Sequence, residues 1–290
     1  MPLSAAEWSA AESLIRLALE EDLGSLTDLT SQCLIPPDLS GEAVFVVRQA
    51  GVLAGLPVAG LVFAHIDPTV RFKELASDGQ SLEANTPIAS VRGSMRSILA
   101  GERTALNFLQ RLCGVATQTA RHVKELEGLA CQLLDTRKTT PGWRLLEKYA
   151  VRQGGGHNHR LGLHDGILIK DNHLAALGGG PDAIARAIQR ARQTYGQRFA
   201  IEVEVDTLEE LQVALSSSPD IVLLDNMNAE QLRRAVELRD QLAPSVRLEA
   251  SGGITLRNLR QLAETGVDRI SLGALTHSAL ALDIGLDYLS

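Results

Sequence analysis

Three cysteines in 290 residues, Cys33, Cys113 and Cys131, are too few and too scattered to organise a fold. Their number is odd and no CxxC pair occurs, which excludes a disulfide framework and a zinc ribbon and fits a reducing, cytoplasmic setting. Positive charge is also short. The 28 Lys and Arg against 35 Asp and Glu leave a net charge of −7, which disfavours wholesale binding to nucleic acid or to an anionic membrane. No long hydrophobic run is present either. The longest uncharged stretch, residues 51–66 (GVLAGLPVAGLVFAHI), is shorter than the ~20 apolar residues a membrane span needs and is broken by Pro57. The opening residues, MPLSAAEWSAAE, carry Glu7 and Glu12 without an early Lys or Arg, unlike a secretory or transit leader. The Gly154-Gly155-Gly156 run lacks a GK[ST] or GxGxxG context, so P-loop and nicotinamide-dinucleotide chemistry are disfavoured.

What is present is an ordinary globular composition, 45% hydrophobic and 22% charged, which rules out disorder, collagen and a pure coiled coil. Residues 4–21 are expected to form a helix: Ser4 and Glu7 have capping-box spacing, Leu14, Ile15, Ala18 and Leu19 share a face, and Gly24 ends it. Residues 41–92 hold short β-type runs (EAVFVVRQ, VRFKELA, PIASVRG) around a candidate helix, PVAGLVFAHI. Residues 94–127 read as a long helix with Gly101 and Gly114 as break points. From Cys131 onward six short apolar strands recur: QLLDTRK, GILIKDN, AIEVEV, DIVLLDN, VRLEASGG and RISLGA, with helices at residues 182–195, 208–216 and 229–242 between them. Strands alternating with helices argue for a parallel α/β arrangement. Reactive side chains at every strand exit favour an incomplete TIM-like barrel over an open doubly wound sheet. Residues 1–110 are read as an N-terminal α/β unit and 111–290 as the barrel, with the tail 276–290 packing back on the first unit.

The densest chemistry lies between Asp135 and His173. Arg137, Lys138, Arg152, His159, Arg160 and Lys170 gather there, and Lys170 directly follows the apolar run GILI, at the end of a buried strand. Cations held together in this way need an anionic ligand to offset their repulsion. The planar fork of arginine suits carboxylates, and the compact charge of lysine suits phosphates. A metal site built from His157, His159, His164 and His173 is disfavoured by those neighbouring cations. Glu202, Glu204 and Asp206 alternate on one strand face, and Asp225 ends the next strand. Such acids suit ribose hydroxyls and Mg²⁺, with one of the three free to partner a buried Lys or Arg. Ser251-Gly252-Gly253 and Leu272-Gly273-Ala274 follow the last two strands, the usual phosphate position of a barrel.

Taken in order, ERTALNFLQRLCGVAT, DTRKTTPG, GGGHNHRLGLHDGILIKDNH, EVEVD, LLDN, EASGGI and SLGALTHS resemble the quinolinate phosphoribosyltransferase family over most of the chain. The resemblance implies an N-terminal α/β sandwich, a seven-stranded α/β barrel and at least a homodimer. Near the N-terminus EDLGSLTDLTS departs from the family's EDxGxGDxT. Carried over by motif, Arg137, His159 and Arg160 would bind the two carboxylates of quinolinate, joined by Arg103 from a neighbouring subunit. Thr136, Lys138 and Lys170 would face phosphoribosyl pyrophosphate (PRPP). Glu204 and Asp225 would take ribose hydroxyls and Mg²⁺ waters, and residues 251–253 and 272–274 the 5′-phosphate. No organic cofactor, nucleic acid or membrane is implied. Rival readings are a Schiff-base aldolase using Lys170, a related molybdenum-transport-associated paralogue, and a non-catalytic phosphosugar-binding protein.

Overall fold

A computed structural model describes residues 2–180 and 182–289. In chain order, its first part holds α1 (Ala5–Leu23), α2 (Leu29–Leu34), β1 (Ser40–Val47), β2 (Gly51–Val52), α3 (Leu56–Ile66), β3 (Arg71–Glu74), β4 (Ser81–Leu82), β5 (Pro87–Ser94) and α4 (Met95–Glu125). Next come β6 (Gln132–Leu134), α5 (Arg144–Gln153), β7 (Ile167–Ile169), α6 (Asp171–Ala176), α7 (Ala183–Tyr195), β8 (Ile201–Val205) and α8 (Leu208–Ser216). The chain ends with β9 (Ile221–Asp225), α9 (Ala229–Leu242), β10 (Arg247–Ser251), α10 (Leu259–Ala263), β11 (Arg269–Ser271), α11 (Ala274–His277) and β12 (Ile284–Leu289). These elements fall into two units. One comprises Met1–Arg121, Lys138–Gly156 and Ala274–Ser290, the other His122–Arg137 and His157–Gly273.

In the first unit α1 starts as its sequence dictates. The Ser4 hydroxyl accepts from the Glu7 N–H, and the Glu7 carboxylate accepts from the Ser4 N–H, a pair of caps worth ~1 kcal/mol. An antiparallel sheet, ordered β12-β1-β5-β3, packs Phe45 against Phe63 of α3 and Phe72 of β3, ring centroids 5.8–6.1 Å apart. The tail 276–290, expected to pack back on this unit, supplies β12, whose strand character was not legible in the sequence. It pairs along β1 from Glu42↔Leu289 to Val47↔Ile284, so its partner lies some 240 residues away along the chain. Helix α4 runs unbroken through both glycines where breaks were expected. A Cβ at Gly101 would stand 2.8 Å from the Phe63 ring, and one at Gly114 only 2.1 Å from the Leu280 carbonyl oxygen. Both are points of close approach, not helix breakers.

The second unit carries all six expected strands in one parallel sheet, ordered β6-β11-β10-β9-β8-β7. A seventh position, beyond β6, is reduced to a single parallel bridge between Leu134 and His157. Among the described residues no ladder joins β7 to that bridge. Parallel sheets bury both faces, and period-two alternation sorts them here. Val203, Val222, Leu224, Leu248, Ala250 and Ile270 are buried on one face, where α7, α8 and α9 pack. Register puts Glu202, Glu204, Asp225, Glu249, Ser251, Arg269 and Ser271 on the other. One face is therefore an apolar seam and the other a charged interior. No helix among the described residues is long and apolar enough to cross a membrane.

Candidate active site

The charged face has two layers. In the deeper one, Glu202 and Glu249 are 4% and 0% exposed. Arg269 places Nε 2.6 Å from Glu249 and a terminal nitrogen 3.3 Å from Glu202. The Glu249 contact is poorly aligned for a hydrogen bond, so charge carries it. His159, two residues past the bridge and on the same face, directs Nε2 to Glu202 at 3.1 Å and to Glu249 at 3.4 Å. Burial alone would push the imidazole pKa down, but hydrogen bonds and attraction from the two carboxylates outweigh it and raise the value to about 9. On its other side, Nδ1 stands 2.8 Å from the Arg160 backbone nitrogen, a bond only the neutral ring accepts. That bond is worth ~1 kcal/mol net, and it competes with the preference of the two carboxylates at Nε2 for a charged ring.

His159, Glu202 and Glu249 also form the one group among the described residues with metal-binding spacing. With the Arg269 guanidinium against both acids, it suits ion pairing better than a cation. The other histidines diverge. His157 is exposed, His164 packs its ring on Gly162, and His173 accepts the Lys170 N–H. Arg152 also leaves the expected cluster, since it pairs with Glu7 in the first unit at 2.8 Å.

The outer layer is bipolar. On one side stand Arg137 and Arg160. The buried Asp135 carboxylate accepts the Asn158 side-chain amide at 2.7 Å and the His159 N–H at 2.9 Å, tying the exit of β6 to residues 157–160. The Arg160 guanidinium donates to the Gly166 carbonyl. Its pKa is lowered first by burial and then by Arg137. Neither guanidinium is ion-paired with a carboxylate among the described residues, so the pair presents a place for an anion.

On the other side, Ile169 pairs with Val203, which sets Lys170 level with Glu204. Their side chains form an ion pair. Asp225 lies one pleat further out on the adjacent strand, since Glu204 pairs with Leu223. Asp206 has its pKa raised by partial burial and then by Glu210, Glu204 and Asp171, the signature of crowded acids. Glu202 belongs to the deeper layer as the partner of a buried arginine, which leaves Glu204 at the mouth. A Schiff-base lysine needs an apolar or cationic setting, and the pairing of Lys170 with Glu204 argues against that chemistry.

The glycine loop after β10 is locked against the exit of β9. Asn226 donates its N–H to the Ser251 carbonyl and its side-chain amide to Asp225. Gly252 has φ +84°, and a Cβ there would meet the Asn226 side-chain oxygen at 2.3 Å. Gly253 has φ +61° and its nearest neighbour at 3.9 Å. A left-handed alanine costs ~1–2 kcal/mol, so Gly253→Ala is expected to lower the melting temperature by a few degrees. Gly252→Ala adds the clash and should lower it further. Equal shifts in thermal unfolding would show that Asn226 simply moves aside.

Leu272 is buried and continues the ladder with its N–H to the Leu134 carbonyl, and Gly273 follows it. Thr136 is half-buried beside Arg137. Lys138, Ala274 and Arg103 belong to the first unit. Arg103 is exposed on α4 and Ala274 opens α11. Lys138 is exposed, and its carbonyl accepts the Thr276 hydroxyl at 2.7 Å. The fully buried Glu147 accepts the Thr140 N–H and hydroxyl and pairs with Arg111, which also donates to the carbonyls of Thr276 and Ala279. That network holds the Lys138 carbonyl and the backbone at Thr140. Sequence reasoning passed over Asp135, Asn158, Glu249 and Arg269. Their signal was parity with Glu202 and His159, which needs the strand register to be read.

The chain matches two family models, described as the N-terminal domain (residues 28–113) and the C-terminal domain (residues 115–287) of quinolinate phosphoribosyl transferase. It is 45% identical to a nicotinate-nucleotide pyrophosphorylase [carboxylating] of Mycobacterium leprae, covering 98% of this chain and 99% of that one. A probable enzyme of the same name from Bacillus subtilis is 44% identical over 92% of this chain and 89% of its own length. The solved nicotinate-nucleotide pyrophosphorylase of Francisella tularensis superposes with a TM-score of 0.91 at 40% identity, over 97% of this chain and 96% of that one. Matched along both units by descent and by fold, the chain belongs to the quinolinate phosphoribosyltransferase family.

Proposed function

We propose that the protein transfers the phosphoribosyl group of PRPP to the ring nitrogen of quinolinate and releases the adjacent carboxylate as CO₂, giving nicotinate mononucleotide and pyrophosphate. The observation that carries this reading is the bipolar mouth: guanidinium groups of Arg137 and Arg160 with no carboxylate partner among the described residues on one side, Lys170 with Glu204 and Asp225 on the other. The first side suits a dicarboxylate, and the second a sugar that must leave its pyrophosphate.

The chemistry asks for positioning and charge, not for a protein nucleophile. As the bond from C1 of the ribose to pyrophosphate breaks, positive charge grows on the sugar and negative charge on the leaving group. Glu204 and Asp225 can stabilise the first, Lys170 and Lys138 the second, and each well-placed group of this kind contributes ~3–4 kcal/mol. The pyridine nitrogen forms the new bond to C1 and becomes cationic. Its positive charge then stabilises the electron pair left on the adjacent ring carbon when the neighbouring carboxylate departs as CO₂, and that carbon takes up a proton. The oxygen donors Glu204 and Asp225 fit Mg²⁺ through its waters, and the ion would neutralise charge on the pyrophosphate when bound with PRPP. The backbone at Ser251–Gly253 and Leu272–Ala274 would receive the 5′-phosphate.

Arg103 lies in the first unit, exposed, and the reading completes the dicarboxylate site with Arg103 of a second copy in a homodimer. Arg103→Ala is expected to weaken quinolinate binding more than turnover. Mixing it with Lys170→Ala should restore activity, because some mixed sites contain neither lesion. Mixtures no more active than their components would end the shared-site proposal. The reaction itself is tested with Mg²⁺, PRPP and either quinolinate or nicotinate. Product and CO₂ from quinolinate alone are expected, and silence with quinolinate despite PRPP binding would overturn the reading.

A further inference from the structure

The deeper layer of the charged face is unused by the chemistry above, yet it holds four charged groups at or near full burial. Glu249 and Arg269 lie beneath the mouth, 0% and 8% exposed. Burying an ion pair is weakly stabilising at best, so stability alone is a poor reason for four buried charges. Their geometry supplies another.

His159 is held at both ends. Its ring meets Glu202 from β8 and Glu249 from β10, which Arg269 from β11 neutralises in turn. Its backbone N–H is bound by Asp135 from the exit of β6. The next residue is Arg160. A residue fixed at ring and backbone fixes where its neighbour's side chain begins, and here that neighbour must stand beside a like charge, Arg137. Left alone, two guanidinium groups separate. Held together, they offer a dicarboxylate an anion site whose repulsion is paid before binding.

We infer that Glu249 and Arg269 are positioning residues for the substrate dicarboxylate, which act through His159 to hold Arg160 beside Arg137 without touching the substrate. The inference rests on the proposed reaction and assigns His159 a place in the scaffold: the carboxylates claim its Nε2, while Nδ1 faces the Arg160 backbone. The groups facing the ring are Glu202, Glu249, the Arg269 guanidinium behind them, and Arg160 itself.

The test uses the full-length protein with Glu249→Gln, which keeps shape and removes charge, and Arg269→Lys, which keeps charge and removes the fork. Steady-state constants for quinolinate are measured at saturating PRPP and Mg²⁺, and PRPP affinity by calorimetry without quinolinate. In Glu249→Gln the quinolinate KM is expected to rise at least about tenfold, with kcat and PRPP affinity within about threefold of wild type, the pattern of lost uniform binding. Arg269→Lys should shift in the same direction by less. A folded Glu249→Gln protein with unchanged quinolinate KM would overturn the inference. So would equal losses toward both substrates, which is what a merely structural role produces. If Glu249→Gln does not fold, Arg269→Lys decides by the same two criteria. A wild-type protein inert toward quinolinate would remove the reading underneath, and is recognised before any variant is assayed.

Discussion

Lys170→Ala is expected to lower kcat/KM at least ~100-fold, the scale of one lost charge-stabilising group, with most of the loss in kcat. The lysine stands at the exit of β7, level with Glu204 and ion-paired to it. Its removal does two things at once. It takes a cation from the departing pyrophosphate, and it leaves Glu204 without its ion-pair partner. The second effect leaves the carboxylate without the cation that holds it in place, which costs it its orientation toward a sugar becoming cationic. Both effects act on the transition state, since neither charge exists in bound PRPP to the same degree. Lys138→Ala should fall by a similar factor through the first effect alone. Rapid-quench measurement of product formation separates the chemical step from release. Near-normal turnover in Lys170→Ala would take Lys170 out of the reaction, and a loss confined to KM would reduce it to a binding contact.

How far the sequence speaks depends on whether a feature is local. The α1 cap was legible because Ser4 and Glu7 lie three residues apart. The six barrel-type strands were legible because each apolar run ends in a charged or glycine exit. The continuity of α4 was not: Gly101 and Gly114 look like breaks until Phe63 and the Leu280 carbonyl are found against them. The tail's return to the first unit was expected, but its strand character was missed for the same reason, its partner being β1. At the site, the alternation of Glu202 and Glu204 was plain, but not which acid faced the mouth. That choice follows from register, which levels Glu204 with Lys170 and leaves Glu202 to Arg269. Arg269 itself had no local signal, because a charged first residue of a strand usually meets solvent.

Arg269→Leu is expected to destabilise the protein by about 3–5 kcal/mol at pH 7, the cost of leaving buried charge without its partner. The loss should depend on pH in a stated direction. In the wild type the Glu249 pKa, despite the opposing effect of burial, is held below its ordinary value by His159 and Arg269. Its contribution to stability is therefore present above the unfolded value near 4.5 and disappears as pH falls through the folded one. The His159 pKa is raised from 6.5 to about 9, so its contribution is full below 6.5 and is lost as pH rises through about 9. The cluster thus stabilises most between about 4.5 and 6.5. Without Arg269, one imidazolium faces two carboxylates, and burial now raises the acid whose charge goes unmatched. Folding of the variant then favours a protonated carboxylate, so its stability falls as pH climbs from 5 to 6.5, where the wild-type cluster's contribution is level. The difference between wild type and Arg269→Leu, read from urea midpoints, should be smallest at pH 5 and grow toward pH 7. A gap that stays constant over that range would mean Arg269 contributes packing rather than charge, because a lost aliphatic stem leaves the same cavity at every pH.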